Sequence, residues 1–244
     1  MTLERIQTLW IGPRLSVMEQ LALSSFVHHG HQVDLYTYDE VANVPEGVTV
    51  RNGNAILPAS MIFQYREHQS YSGFSNFFRY RLLLERGGCW VDTDLVALRP
   101  FSFAEDHVFS SEEAQGIEHV NAGFIKAPAG SPAMQRAWDI CAAKDRTQIR
   151  WGETGPALLR EIVTTLGLES FVRPPEVFCP IPFPKWESLL DPIPPALPEN
   201  AAAVHLWNEL WRRAGKDKDA EFDSRCLYEQ WKARYLTRTE TRVS

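Results

Sequence analysis

Four cysteines in 244 residues, Cys89, Cys141, Cys179 and Cys226, stand far apart with no C-x-x-C pair. That spacing excludes the compact thiolate sets of structural zinc sites and dithiol redox motifs. It reads as reduced, buried thiols. No run approaches the roughly 20 apolar residues that a bilayer-spanning helix needs. The opening MTLERIQTLWIGP has no apolar core of secretory type, so a cytoplasmic protein is expected. Positive charge is scarce as well: 25 Lys and Arg against 31 Asp and Glu give a formal net charge of -6. Broad nonspecific nucleic-acid binding needs a dense basic field and is excluded as a role.

What is present is the composition of a folded protein: 44% hydrophobic residues, 23% charged and eight Trp. A chain of this length buries a substantial core as one domain. Arg5 to Ile11 alternates apolar and polar residues and stops at Gly12-Pro13, as a strand running into a loop does. Ser16 with Glu19 three residues later is a capping-box pattern, and Leu21 and Phe26 lead to Gly30 as terminator. Residues 32–38, QVDLYTY, read as a second strand. Strand, helix and strand in so short a stretch predict a crossover unit and a parallel α/β sheet, whose ligands bind beyond the carboxyl ends of the strands. The tip after Ile11 is therefore a candidate site.

A helix is predicted over Ser75–Glu85, with Phe78, Leu82 and Glu85 on one side and Arg79 and Arg81 elsewhere. It stops at Gly87-Gly88, before a strand begun by Cys89, Trp90 and Val91. Val120–Pro128 reads as a strand, and Ser131-Pro132 opens a helix to about Ala143. Gly152–Leu166 reads as another helix, with Glu153 near its start complementing the helix dipole. The proline-rich stretch 174–198 predicts extended loop structure anchored by Phe178, Phe183 and Trp186. A closing helix is expected over Phe222–Leu236, with Leu227, Tyr228, Trp231 and Tyr235 on one face. That stripe reads as core, and the Arg and Lys between the aromatics leave peripheral membrane contact open.

The chemistry sits in FSNFFRYRLLLERGGCWVDTDLVALRPF, residues 74–101. A helix ends at two glycines and a short apolar strand delivers Asp92-Thr93-Asp94. Two carboxylates set two residues apart at such a strand end repel each other and are costly to desolvate. A divalent cation removes that conflict. Carboxylate oxygens suit Mg2+ or Mn2+, ions that also hold the two phosphates of a sugar nucleotide.

This segment resembles the D-x-D region of retaining glycosyltransferases of the GT-A fold. The relatives in view are the initiating alpha-1,6-mannosyltransferases, the alpha-1,4-galactosyltransferases and the glucosylating domains of clostridial toxins. The likeness continues in Leu9-Trp10-Ile11, which matches the nucleotide-binding first strand, and in Asn121-Ala122-Gly123. It continues also in Trp151-Gly152 with Gly155-Pro156 and in Val204-His205-Leu206-Trp207-Asn208. The resemblance implies a GT-A α/β fold, Rossmann-like, with a mostly parallel central sheet flanked by helices. One domain would span 1–244, with 1–126 mainly the nucleotide-sugar half and 127–244 mainly the acceptor side and C-terminal helix.

The resemblance also implies a reaction: a hexose passes from a nucleotide diphosphate to an acceptor hydroxyl with retention. Mn2+ or Mg2+ would be held by Asp94 directly and by Asp92, which would also contact the ribose. His205 either completes the metal shell or is a hydrogen-bonded core histidine. Arg79 would face the donor sugar or its phosphate, unless it serves a structural ion pair. Trp10 lines the base pocket or packs in the core. Asn76 stands where many relatives carry Asp, so an amide contact to donor hydroxyls is expected. Thr93, Asn121, Gly123, Glu153, Gly155, Trp207 and Asn208 complete the substrate-binding candidates. UDP-hexose is the favoured donor and GDP-mannose the alternative. The acceptor would be a glycan or lipid-linked, at the inner membrane face, in glycan or polysaccharide biosynthesis.

Two rival readings compete. Asp92-Thr93-Asp94-Leu95-Val96 matches the D-x-D-x-[TV] nucleophile motif of haloacid-dehalogenase-like phosphatases. Against it, no later apolar strand ends in paired acidic residues to hold Mg2+. The other rival is a noncatalytic sugar-nucleotide or glycan-binding protein; the presence of both Asp residues and Arg79 argues for turnover.

Overall fold

The computed structural model describes residues 3–65 and 69–236. In chain order its elements are β1 (Ile6–Leu9), α1 (Val17–His28), β2 (Val33–Thr37), β3 (Val48–Asn52), α2 (Ser72–Arg86), β4 (Gly88–Val91) and β5 (Leu95–Ala97). Then come β6 (Val108–Ala114), β7 (Ile117–Ala127), α3 (Pro132–Ala142), α4 (Pro156–Thr165), α5 (Pro175–Phe178), β8 (Ala203–His205), α6 (Asn208–Arg213) and α7 (Leu227–Tyr235). Six strands form one sheet in the order β3-β2-β1-β4-β7-β6. The first four are mutually parallel, and β7 and β6 run antiparallel to their neighbours. A separate ribbon pairs β5 with β8.

Both faces of this sheet are covered, which explains why β1 and β2 are buried at every residue rather than alternating with solvent. Ile6 and Leu35 pack with α1, the β5–β8 ribbon and α7 through Leu21, Phe26, Val204 and Trp231. Leu9 and Trp90 pack on the opposite side with α2, α3 and α4 through Phe78, Leu82, Met134 and Leu159. The predicted capping box holds α1 in place: the Ser16 N–H donates to the Glu19 carboxylate at 2.8 Å. All four cysteines are free and buried, as the reduced-thiol reading expects.

Several expectations are corrected. The edge strand β3 and the whole of β6 lie outside the sequence reading. The β6–β7 turn, Gln115-Gly116, has φ of 55 and 75, a tight mirror-image turn without the usual Asn-Gly signal. Stretch 174–198 is not wholly extended, because it holds the one-turn α5 and a 3-10 segment over Phe183–Leu190. α4 starts at Pro156 rather than Gly152, whose φ of 78 is not helical. α7 starts at Leu227 rather than Phe222, and its Leu227, Tyr228, Trp231 and Tyr235 are all buried. That burial removes the stripe as a membrane-contact face. Among the described residues no helix is long and apolar enough to cross a membrane.

Candidate active site

The site is built where α2 hands the chain to β4. Gly87 caps α2 with φ of 63, and a Cβ there would stand 2.5 Å from the backbone N of Ala129. Only glycine makes that turn. Four residues of β4 later, Asp92 emerges at the carboxyl end of the strand, its N–H donating to the Gly123 carbonyl at 2.8 Å. The Leu95 N–H donates to the Asp92 carbonyl at 3.2 Å, so residues 92–95 form a tight turn that swings Asp94 into β5. Register does the rest: Leu95 pairs with His205 across the ribbon.

Each acidic residue has a cationic companion. Asp92 Oδ1 lies 3.0 Å from an Arg79 Nη and accepts from Trp90 Nε1 at 2.9 Å. Arg79, 4% exposed, also donates to the Ala122 carbonyl and to Ser75 Oγ, and its guanidinium lies 4.9 Å from the centre of the Trp90 ring. Asp94 Oδ1 lies 3.2 Å from His205 Nε2, and its Oδ2 accepts from the Asn208 N–H at 2.8 Å. Burial works against charge on this pair, pushing the Asp94 carboxyl up and the His205 imidazole down. The mutual attraction wins: the carboxyl ends below its ordinary value and the imidazole well above its own.

Asp92, Asp94 and His205 each offer one ligand atom within 4.8 Å of the others. Two carboxylate oxygens and an imidazole nitrogen form a donor set suited to a hard or borderline divalent cation, so the residues fit the metal expected of this motif. Arg79 and Trp90 occupy Oδ1 of Asp92, which leaves Oδ2 for a ligand.

These groups line a cavity of about 570 Å³, together with Leu9, Trp10 and Ile11 beyond β1 and Trp207 and Asn208 at the start of α6. That volume is in the range of small-molecule sites. Its position outside the carboxyl ends of β1 and β4 is where an open α/β sheet binds ligands. Trp207 packs against His205 with ring centres 4.1 Å apart and planes tilted by 32°, and it donates its indole N–H to the Ile181 carbonyl at 2.9 Å.

Residues 147–241 match the family model described as the alpha 1,4-glycosyltransferase conserved region. That span contains His205, Trp207 and Asn208 of the cavity wall. No curated protein matches the sequence. Among solved structures, the PaToxG glycosyltransferase superposes with a TM-score of 0.52 at 15% identity, over 68% of this chain and 71% of that one. The UDP-bound glycosyltransferase domain of the YGT toxin gives 0.50 at 10% identity, over 70% and 79%. The chain has the GT-A glycosyltransferase fold. With this fold the haloacid-dehalogenase reading of Asp92 falls away.

In this fold Leu9, Trp10, Ile11, Arg79, Asp92, Thr93, Asp94, His205, Trp207 and Asn208 are brought to one cavity. The remaining candidates stand behind it or to one side. Asn76 is buried, with its amide donating to Thr154 Oγ1 at 3.3 Å and packed against Gly155. Ser75 and Arg79 hold the cavity face of α2, and Asn76, one position round the helix, points elsewhere. Asn121 is turned into its own strand, its Oδ1 accepting from the Gly123 N–H at 2.6 Å. Glu153 pairs with Lys144 and accepts from the Arg150 N–H, outside the cavity.

Sequence reasoning missed Ser75, Tyr71, Glu112, Arg212 and Arg213 on the cavity wall, and it quoted Trp151 as a matching residue without making it a site candidate. Glu209 holds both arginines, at 2.7 Å and 2.8 Å. Position next to the Trp207-Asn208 motif could have flagged Arg212 and Arg213. No local signal flags Glu112.

Proposed function

We propose that this protein is a glycosyltransferase that moves a hexose from a nucleotide diphosphate sugar to the hydroxyl of a glycan or lipid-linked acceptor, with retention and with a divalent metal ion. The reading is carried by one observation: Asp92, Asp94 and His205 converge on the floor of a cavity beside the buried Arg79. Uridine is favoured in the donor because the YGT toxin domain, which shares the fold, is described as UDP-bound; GDP-mannose is the alternative. Retention is supported by the alpha 1,4 linkage named for the matched family region, since an α-linked product from an α-linked donor keeps the anomeric configuration. The setting that fits such an activity is glycan or polysaccharide assembly.

Asp92, Asp94 and His205 would hold Mn2+ or Mg2+, which when bound supplies positive charge to the leaving diphosphate. The chain's own residues do the rest. Trp90 and Arg79 fix one oxygen of Asp92, so its other oxygen is presented without rotamer search. Asn208 does the same for Asp94 through its backbone N–H. Arg79 adds a preorganised cation at the edge of the cavity, a form of electrostatic stabilisation that needs no reorganisation during reaction. In retention by same-face attack, the C1–O bond to phosphate breaks as the bond to the acceptor oxygen forms. The acceptor proton passes to the departing phosphate oxygen.

The test is nucleotide release from a panel of UDP- and GDP-sugars, with Mn2+ or with EDTA, for the wild type and Asp94→Ala. Release from one donor that requires metal and vanishes in Asp94→Ala is expected. Metal-independent release, or release unaffected by Asp94→Ala, would overturn the proposed role of the triad.

A further inference from the structure

The charged side chains on the cavity wall form closed pairs with one exception. Arg79 is paired with Asp92, His205 with Asp94, and Arg212 and Arg213 with Glu209. Glu112 also lines the cavity and is half-buried, yet its carboxylate makes no hydrogen bond or ion pair among the described residues. A partly desolvated carboxylate with nothing to accept from is costly unless a ligand supplies donors.

Topology says which part of a ligand that would be. In the order β1-β4-β7-β6, the tip of β1 lies at one end of the cavity, Asp92 after β4 in the middle, and β6 beyond β7 at the other end. Strand β4 pairs only with Phe124–Ala127 of β7, while β6 follows β7 out to the turn, with Glu112 opposite His119. The outer half of this hairpin therefore projects past Asp92, and Glu112 stands on the projection. On the proposed donor reading, Leu9–Ile11 receive the nucleoside and the triad receives the diphosphate. The sugar then falls on the side of Glu112.

We infer that Glu112 is a specificity-determining residue that accepts hydrogen bonds from hydroxyls of the transferred hexose. An ionised carboxylate is acceptor-only, and its two oxygens can take hydrogen bonds from neighbouring hydroxyls of a pyranose. The inference rests on the donor reading above, and its test separates the two.

Calorimetry with the full chain and Mn2+ compares the wild type with Glu112→Gln and Glu112→Ala. The ligands are UDP, GDP, UDP-glucose, UDP-galactose and GDP-mannose. The expected result is equal affinity for the bare nucleoside diphosphate in all three proteins. The sugar nucleotide should bind about tenfold to a hundredfold more weakly in Glu112→Ala, with Glu112→Gln in between, as loss of a charged hydrogen bond implies. Because the Glu112 side chain has no hydrogen-bond or ion-pair partner among the described residues, both variants should keep the wild-type melting temperature. Equal affinities for the sugar nucleotide in wild type and variants would sink the inference alone. Equal losses for diphosphate and sugar nucleotide would do the same, by showing a general disturbance of the cavity. A wild type that binds none of these ligands would sink the donor reading itself.

Discussion

Arg79→Met removes a buried cation while leaving a side chain of similar reach. The guanidinium donates to the Ala122 carbonyl, to Ser75 Oγ at 3.1 Å and to Asp92 Oδ1 at 3.0 Å. Stranding the buried Ala122 carbonyl costs roughly 1–3 kcal/mol. The Asp92 side chain is 26% exposed and keeps some solvent, so loss of its ion pair falls well short of the fully buried case and adds about 1 kcal/mol. Together these give about 3 kcal/mol, and at roughly 2–4 °C per kcal/mol for a chain this size the Tm should fall by about 6–12 °C. Arg79→Lys keeps the charge but cannot reach all three partners, and should recover about half of that loss. Differential scanning calorimetry measures both. Metal-dependent nucleotide release by the folded Met variant, assayed below its transition, should drop by about two to three orders of magnitude. A Tm within about 2 °C of wild type would refute the structural reasoning, and wild-type release by the Met variant would refute the electrostatic reasoning.

Mn2+ at a hundredfold excess over its Kd should add about 2.7 kcal/mol to the wild type, hence roughly 5–11 °C in Tm; Asp94→Ala should show no such rise, and an equal rise would place the metal elsewhere. His29 is held down to about 4, first by burial and then by the neighbouring His28. Between its ordinary value of 6.5 and about 4 the unfolded chain takes up a proton that the fold refuses, so stability should decline as pH falls through that window. Urea midpoints at several pH values should show a smaller decline in His29→Gln. Gly87→Ala should cost well above the roughly 1–2 kcal/mol of a left-handed alanine, because its Cβ would meet backbone 2.5 Å away. Gly116→Ala, at φ of 75 with open space around it, should cost only the conformational part, and equal losses in the two variants would show that the close approach at Gly87 is relieved by backbone movement.

What could be read from the sequence was what covalent neighbourhood dictates. The capping box of α1, the two glycines after α2 and the apolar strand before Asp92 are local patterns, and the structure forms all three. β6 escaped because Val108–Ala114 carries Ser-Ser-Glu-Glu in its middle, so neither alternation nor an apolar run marks it. Glu112 was lost with it. Arg79 was expected away from the apolar face of its helix, since charge normally seeks water. Its burial depends on Asp92 and the Ala122 carbonyl, partners that a local pattern does not contain. Asn76 shows the reverse: resemblance to a family position implied a ligand contact, whereas on α2 its amide donates to Thr154 Oγ1.

His205 and Asp94 show why a motif can be legible while its partner's role stays open. They lie 111 residues apart, and what joins them is the pairing of β5 with β8, two three-residue strands too short to announce themselves. The next residue but one after His205 carries the cost of the arrangement. Trp207 has φ of 60 and ψ of 48, a left-handed conformation that bulky residues avoid and that costs on the order of 1–3 kcal/mol. Its indole hydrogen bond to the Ile181 carbonyl and its packing against His205 hold it there. The turn it makes is what aims the Asn208 N–H at Asp94 Oδ2, in place of the ordinary extended step that would carry residue 208 past the carboxylate. Glycine at 207 would adopt the same turn without strain, yet it would give up the ring contact with His205 and the anchor to Ile181. A tryptophan in a conformation suited to glycine is thus consistent with a position selected for what its ring does at the candidate metal site.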